Sequence, residues 1–232
     1  MAQGQPVKLS NGKNMATKAK TATKAKTATT KAYNVRKFSI VKGDMTHGNS
    51  GVFKVEMDGK TYYLKATHDS QEIARTKQAY NILGNDGMVE SAKIVSDDQE
   101  ALSQLARQHN IEAPNGYSWF LTEETYATEG MGNMFISYKN TSGKTNMFKD
   151  VLKNKPLTKA EQDEILNAVE RLNKNGIKHG DLGSNLFIKR DDAGKLHVSI
   201  IDYESWAAKE SKTSDIDDIK QMLAEYQELG IS

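Results

Sequence analysis

The chain has 232 residues, of which 27% are charged and 37% hydrophobic, a composition typical of a soluble globular protein with one medium domain or two small lobes. It contains no cysteine, which excludes disulfide bonds, thiolate catalysis and cysteine-ligated zinc. No run approaches the roughly 20 apolar residues of a membrane span, and the N-terminus lacks the apolar core of a signal peptide. We therefore expect no membrane partner.

The first 34 residues differ in charge from the rest of the chain. They contain seven lysines and no acid, whereas the remaining residues carry 25 basic and 30 acidic side chains. The hexapeptide ATKAKT occurs at Ala16–Thr21 and again at Ala22–Thr27, and without large apolar residues this tail is predicted to be disordered. Spaced lysines could attract nucleic acid or anionic lipid, but no aromatic or arginine interleaves them. We therefore predict a solvated leader, which could serve as a secretion signal, and no nucleic-acid partner.

Alternating apolar residues after the tail predict a β-hairpin region. Strands are expected at Arg36–Val41, Gly51–Glu56 and Thr61–Ala66, with Asp58–Gly59 as the tight turn between the last two. A helix capped by Asp69 or Ser70 should follow and end at Gly84.

The middle of the chain alternates between strands and helices. The pattern predicts a strand at Glu90–Val95, a helix at Gln99–His109, a strand at Tyr117–Thr125 and a short helix at Asn146–Lys153.

The clearest helix signal comes next. Thr158 followed by Glu161 forms a capping-box pattern, an apolar stripe follows, and Gly176 ends the predicted helix. A final helix capped by Thr213 or Ser214 is expected to run to Leu229.

Polar residues interrupt the short apolar runs between Asn175 and Trp206. His179-Gly180-Asp181-Leu182 follows the long helix, Asn185 opens the predicted strand Asn185–Lys189, and Asp202 lies within the predicted strand His197–Glu204. Two interpretations compete. These residues either form turns at strand ends, or they converge on a charged ligand such as a metal–phosphate complex.

The order of these motifs resembles the protein-kinase superfamily, over roughly Phe38 to Leu223. The matching features are a glycine turn, Leu64-Lys65-Ala66 on the third strand, a long helix, the His-Gly-Asp-Leu motif, the asparagine and Ile201-Asp202-Tyr203-Glu204. The resemblance implies an α+β fold with two lobes and a minimal C-terminal lobe. It places the tail at 1–34, an N-terminal lobe at 35–124 and a C-terminal lobe at 125–232.

The resemblance also implies ATP and Mg²⁺ or Mn²⁺ as cofactors. Asp181 would orient the attacking hydroxyl and accept its proton, and Lys65 would contact the phosphates. Asn185 and Asp202 would be metal ligands. Gly48 and Gly51 would let the first hairpin approach the phosphates, and Glu72 would pair with Lys65.

Several positions depart from the superfamily pattern. Asn185 lies four residues after Asp181 rather than five, Glu204 replaces a glycine, and Gly180 replaces the arginine that would hold an activation-segment phosphate. Only nine residues, Ser205–Thr213, separate the second metal motif from the next helix. We therefore expect an enzyme that needs no phosphorylation to become active.

The small size of the C-terminal lobe resembles the compact kinases that pathogenic bacteria inject into host cells, in particular effectors of the HopBF type. That resemblance implies a monomeric Ser/Thr protein kinase, made in the bacterial cytoplasm and secreted into the host cell. Its partner would be a host protein such as a heat-shock chaperone.

Two other functions remain open. Small-molecule phosphotransferases of the aminoglycoside or choline kinase type also carry His-Gly-Asp and an acid after the metal aspartate, but they build the acceptor pocket from a helical insert that this chain has no room for. A catalytically dead pseudokinase scaffold would keep the fold without activity. The joint presence of Lys65, Asp181, Asn185 and Asp202 argues against that alternative.

Overall fold

The computed structural model describes residues 33–45, 50–128 and 155–228, with side chains described to residue 224. Several sequence predictions lie outside these residues: Gly48, the disordered tail up to residue 32, the short helix at Asn146–Lys153 and the end of the last helix at Leu229.

The strands form two sheets. The described strands are β1 Val35–Lys42, β2 Gly51–Met57, β3 Lys60–Thr67, β4 Val89–Ser91, β5 Ile94–Ser96, β6 Ser118–Glu123, β7 Leu186–Arg190 and β8 Leu196–Ile200. The larger sheet is antiparallel with the order β1-β2-β3-β6-β5. Asp58 and Gly59 close the β2–β3 hairpin with φ of 50° and 74°, the left-handed conformation that a two-residue turn requires.

The smaller sheet has the order β4-β8-β7 and corrects one prediction. The single strand expected at Glu90–Val95 is two strands in different sheets, because β4 pairs in parallel with β8 whereas β5 pairs with β6. Both strands have only three residues, and the local sequence gives no sign of where the chain changes partners.

The described helices are α1 Glu72–Leu83, α2 Gln99–Gln108, α3 Lys159–Lys174, α4 Leu182–Asn185, α5 Ser205–Glu210 and α6 Asp215–Glu228. The capping box of α3 is present: the Thr158 hydroxyl accepts a hydrogen bond from the Glu161 amide at 3.2 Å, and the Glu161 carboxylate accepts one from the Thr158 amide at 2.8 Å. Ser214 caps α6 by accepting a hydrogen bond from the Asp217 amide at 3.1 Å.

Three predicted boundaries differ in the structure. Neither Asp69 nor Ser70 caps α1, whose N-cap is Gln71 without a side-chain hydrogen bond. Asn185 ends α4 instead of opening a strand, and β8 ends at Ile200 rather than Glu204. The segment Ser205–Glu210 forms α5, a helix that the sequence did not predict, because its first amide is satisfied by a carboxylate distant in sequence.

The buried hydrophobic residues form two clusters. One lies against the larger sheet and includes Phe53, Leu64, Leu102 and Trp119. The other joins α1, α3, α6 and the smaller sheet, with Ile165 among its buried residues. The fold is therefore the two-lobed, α+β, kinase-like fold with a small helical lobe that the sequence predicted. Among the described residues, no helix is both long and apolar enough to cross a membrane.

Candidate active site

Lys65 lies at the centre of a buried charge cluster. It alternates on β3 with Leu64 and Ala66, which pack into the sheet core, so its side chain emerges on the opposite face of the sheet. Glu72 is the first residue of α1, and the short connection from β3 brings its carboxylate to 2.6 Å from the Lys65 ammonium. The Asp202 carboxylate also contacts this ammonium, and that of Glu204 lies 3.8 Å away.

The cluster carries more negative than positive charge. Oxygens of Glu72, Asp202 and Glu204 lie within 4.8 Å of one another around one ammonium. Burial raises the pKa of Glu72 to about 7, an effect that Lys65 opposes and Asp202 increases. Burial alone would lower the pKa of Lys65, but the surrounding carboxylates raise it above its ordinary value. The Lys65 ammonium therefore stays charged. Because the carboxylates still outnumber it, binding of a cation would reduce the remaining negative charge of the cluster.

One oxygen of this cluster lacks a partner among the described residues. Glu72 is 1% exposed, and no described residue donates a hydrogen bond to its buried Oε2 atom. A buried carboxylate oxygen without a donor is costly unless a cation or another donor approaches it. Together with the carboxylate and amide oxygens nearby, this donor set fits a hard divalent cation such as Mg²⁺.

The loop from His179 to Asp181 is held from two sides. The buried imidazole of His179 donates from Nε2 to the Ile201 carbonyl at 2.8 Å, and its Nδ1 accepts from the Asp181 amide at 3.3 Å. Burial lowers the pKa of His179, which suits this neutral tautomer. From α6, the buried carboxylate of Asp215 accepts from the His179 amide at 2.7 Å and from the Gly180 amide at 2.8 Å.

The structure explains the glycine at position 180. Gly180 has φ of +84°, and a Cβ atom built there would lie 2.3 Å from the carbonyl oxygen of Ala207 in α5. Any other residue would be both strained and in collision with the backbone of that helix. The position that carries an arginine in the kinase pattern is therefore filled by α5 in this chain.

Asp181 and Asn185 meet at the two ends of α4. The Asn185 side-chain amide donates to the Asp181 carbonyl at 2.9 Å and to the Asp181 carboxylate at 3.2 Å, so the shorter spacing closes into one helical turn. The Ile201 amide donates to the Asn185 carbonyl at 3.0 Å, which joins this turn to the residue before Asp202. Asp202 itself has φ of 67°, an uncommon conformation for a residue other than glycine.

Lys65, Glu72, Asn185 and Asp202 all line one cavity of about 320 Å³. Val52, Phe187 and Ile201 contribute apolar walls to the same cavity. The cavity thus combines apolar surface with a group of charged and amide side chains, as expected for a ligand that has a flat apolar part and an anionic part. Lys65, Glu72 and Asp202, the other charged residues predicted from the sequence, thus lie at this cavity, and Asp181 is joined to its Asn185 by a hydrogen bond.

The two predicted loop glycines have different outcomes. Gly48 lies outside the described residues. Gly51 is buried, and a Cβ atom there would lie 2.7 Å from the sulfur of Met45, so its small size makes room for a neighbouring side chain. The nearby Ser50 hydroxyl donates to Glu204 at 2.7 Å, which links the glycine turn to the carboxylate cluster.

Three residues that shape the site were not among the site residues predicted from the sequence: Asp69, which was expected only as a helix cap, Arg75 and Asp215. Each acts on backbone groups of a segment far away in the chain. No local motif marks such a residue. The only sign in the sequence was an acid or an arginine near the start of a predicted helix. Such a residue is usually a helix cap or lies on the solvent-exposed face of the helix, so it does not indicate a contact with the site.

Three solved structures resemble the chain over most of its length. The kinase PK-1 of Cydia pomonella granulovirus has a TM-score of 0.41 at 18% identity and covers 72% of this chain and 54% of its own. WaaP, in complex with acyl carrier protein, has a TM-score of 0.42 at 14% identity, with 82% and 78% covered. Rad53 1-466, in complex with AMP-PNP, has a TM-score of 0.37 at 17% identity, with 72% and 38% covered.

The chain spans about half the length of the granulovirus kinase and less than half of the Rad53 fragment. No protein-family model matches it, and neither does any curated protein. At such low identities and TM-scores, the kinase-like description of the fold rests on the strand order and the contacts given above.

Proposed function

We propose that the protein is an ATP- and Mg²⁺-dependent phosphotransferase. The observation that carries this proposal is the convergence of Lys65, Asn185 and Asp202 on one partly apolar cavity, with Asp181 bonded to Asn185. Turn-forming residues would have no reason to gather in one place from three separate parts of the chain. A cluster with excess negative charge beside an amide oxygen suits a metal-bound polyphosphate.

Each residue has a proposed role. Asp202 and Asn185 hold the divalent cation, Mg²⁺ or Mn²⁺, through oxygen atoms. Lys65 contacts the phosphates of ATP, and Glu72 keeps the ammonium in place at 2.6 Å. The bound cation would supply charge neutralisation of the phosphate groups. Gly48 and Gly51 remain proposed as the glycines of the loop over the phosphates.

Asp181 is proposed as the acceptor-side residue. Its side chain is exposed and receives a hydrogen bond from Asn185, which fixes its direction. An incoming hydroxyl group would donate to this carboxylate and lose its proton to it as the new O–P bond forms. The exposure of Asp181 suits an acceptor group carried on a macromolecule.

We propose a serine or threonine of a protein as the acceptor. The exposure of Asp181 and the resemblance to compact effector kinases support this choice. The same resemblance supports a host protein, such as a heat-shock chaperone, as the substrate of a monomeric enzyme that bacteria secrete into host cells. We also propose the lobe boundary between residues 124 and 125, a position supported by the end of β6 at Glu123.

A small-molecule acceptor is the second candidate. The observation that favours it is Glu204, whose carboxylate lies 3.8 Å from the Lys65 ammonium where the protein-kinase pattern has a glycine. An acid at this position is shared with aminoglycoside and choline phosphotransferases.

One experiment separates the two candidates. Purified protein is incubated with γ-labelled ATP, Mg²⁺ and a mixed cell lysate, with Asp202→Ala as the control for contaminating kinases. Label on a protein band that is absent with the variant supports protein phosphorylation, and label on small molecules supports the second candidate. No label above the variant's background would contradict both and leave a pseudokinase scaffold.

A further inference from the structure

The position of α1 determines whether Glu72 reaches Lys65, and α1 is tied to the opposite side of the site by its own side chains. The Arg75 guanidinium lies one helical turn after Glu72 and is half-buried. Its Nε donates to the Tyr203 carbonyl at 2.8 Å and its Nη2 to the Lys178 carbonyl at 2.5 Å.

These two carbonyls belong to the two segments that carry the remaining site residues. Tyr203 follows Asp202 directly, and Lys178 immediately precedes the His179-Gly180-Asp181 turn. One side chain therefore joins α1, the metal-side segment and the acceptor-side loop. The planar guanidinium can donate two bonds in fixed directions, whereas a lysine ammonium on a flexible stem cannot hold both carbonyls in the same geometry.

Asp69 forms a second tie just before α1. Its carboxylate is buried and accepts hydrogen bonds from the Ser205 amide and, at 3.0 Å, from the Ser205 hydroxyl, at the start of α5. It also accepts from the Gln71 amide at 2.9 Å, which fixes the entry into α1. The middle of α1 is attached to the chain after α3 as well, since Gln78 donates to the Asn175 carbonyl at 2.7 Å.

We propose that Arg75, supported by Asp69, is the positioning residue that holds α1 where Glu72 pairs with Lys65. The chain itself supplies the tie that a phosphate on the activation segment would otherwise provide. This inference deepens the proposed function, since it concerns the regulation of the same site.

The first test compares Arg75→Ala and Arg75→Lys with Arg171→Ala, a matched change on an exposed arginine of α3. We expect both Arg75 variants to lower kcat by about tenfold or more, because small displacements of positioning groups are costly in rate. The KM for ATP should change less, and Arg171→Ala should match the wild type. Arg75→Lys keeps the charge and the apolar stem, so it provides a folded variant if Arg75→Ala does not fold.

The second test reads the position of α1 without using activity. The chain has no cysteine, so Asn81→Cys on α1 and Lys174→Cys on α3 provide a unique spin-label pair. Pulsed electron resonance should give a narrow distance distribution with Arg75 present and a broadened one in the Arg75 variants. If the wild type transfers no phosphate to any acceptor, the proposed function fails while this measurement still decides the inference.

The third test restores the tie by another route. The Arg75→Ala variant also receives Gln78→Cys and Asn175→Cys, and a short bis-maleimide joins the two cysteines. This cross-link should return kcat to within about threefold of the kcat of the same cross-linked protein with Arg75 present. Broadening without rate loss, rate loss without broadening, or failure of the cross-link to restore the rate would each overturn the proposal.

Discussion

Two charged clusters in this protein differ in how completely their charges are matched. Around Arg190, the guanidinium pairs with both oxygens of Glu161 at 2.7 and 3.0 Å and also donates to the carbonyls of Lys155, Pro156 and Gly194. Around Lys65, one ammonium faces three carboxylates, and one buried oxygen of Glu72 has no hydrogen-bond donor in the part of the chain that the structure describes. Both clusters are largely shielded from solvent.

The difference separates a structural cluster from a candidate site. Arg190 and Glu161 carry one charge of each sign, and the guanidinium donates from all three nitrogens, so the two charges of this pair are matched. The Lys65 cluster has a surplus of acceptors, which is unfavourable for folding alone and favourable once a cation binds. Incomplete matching of buried charges is therefore the more informative sign of function.

The largest effect is expected at the unmatched cluster. Asp202→Ala should abolish Mg²⁺-dependent ATP binding and bring phosphate transfer below detection. Saturating Mg–ATP at about 100 times its Kd stabilises a folded protein by about 2.7 kcal/mol, and the variant should lose this thermal shift completely. Without ligand, its melting temperature should fall by less than about 4 °C, because a cluster with surplus negative charge loses one carboxylate. A variant that keeps the Mg–ATP shift would remove Asp202 from the metal site.

Asp181→Ala should have a smaller but still large effect, confined to the chemical step. We expect kcat to fall by about 10²- to 10⁴-fold, since a positioned base contributes this much, while ATP binding stays within a few fold of wild type. Calorimetric titration of Mg–ATP beside single-turnover kinetics separates the two quantities. Equal losses in binding and rate would mean that Asp181 belongs to the nucleotide side of the site.

The matched cluster should show the opposite pattern. Arg190→Ala removes the hydrogen bonds that the guanidinium donates to Glu161 and to three carbonyls, and it leaves the half-buried carboxylate of Glu161 without its cation, so we expect a loss of about 3 kcal/mol in the free energy of unfolding. Urea denaturation measures this loss, and kcat at 25 °C should stay within twofold of the wild type. Lys159→Ala is the control: its exposed pair with Asp163 should contribute less than about 0.5 kcal/mol. A fall in kcat without a fall in stability would place Arg190 in the catalytic machinery.

The Arg190–Glu161 pair makes the free energy of unfolding depend on pH, with a sign that can be worked out. Burial would raise the pKa of Glu161, but hydrogen bonds from Arg190 and Thr158 outweigh burial and hold this pKa below its ordinary value of 4.5. A depressed carboxyl pKa gives stability that is complete above the ordinary value and is lost as the pH falls through the folded value. The stability difference between wild type and Arg190→Ala should therefore be constant from pH 7 to about 5 and shrink below about 4.5. In a Glu161→Gln background, the difference should no longer vary with pH, and a gap that widened on acidification would contradict the assignment.

Features that depend on neighbouring residues could be predicted from the sequence, whereas contacts between residues distant in the chain could not. The capping box of α3 and the tight turn at Asp58–Gly59 depend on neighbouring residues, so local patterns were sufficient. The motifs around Lys65 and Asp202 could be aligned with a superfamily pattern. Asp69 and Ser205 lie 136 positions apart and Arg75 and Tyr203 lie 128 apart, so these contacts exist only after the chain has folded. Helix α5 was missed for the same reason.

The N-terminal tail supplies the smallest expected effect and limits what charge imbalance can mean. Residues 1–32 carry seven lysines and no acid, an imbalance larger than that around Lys65. The composition predicts a solvated segment, and charges in water and salt are screened within about 10 Å, so we expect their repulsion to cost little, whereas the same surplus in a buried cluster is expensive. Deletion of residues 1–32 should therefore change the melting temperature by less than about 2 °C and leave kcat unchanged.

Extending the deletion to residue 34 should cost more, because it removes a residue that packs on the sheet. Tyr33 contacts the cluster on the larger sheet, and its hydroxyl donates to Ser96 on the edge strand β5 at 2.9 Å. We expect an additional loss of about 1 kcal/mol, or about 2 to 4 °C in melting temperature. Differential scanning calorimetry of the two deletions measures the difference, and Tyr33→Phe in the full chain isolates the hydroxyl. Equal melting temperatures for the two deletions would place the start of the folded unit after residue 34, whereas a large loss with the shorter deletion would show that the lysine-rich segment contributes to the fold.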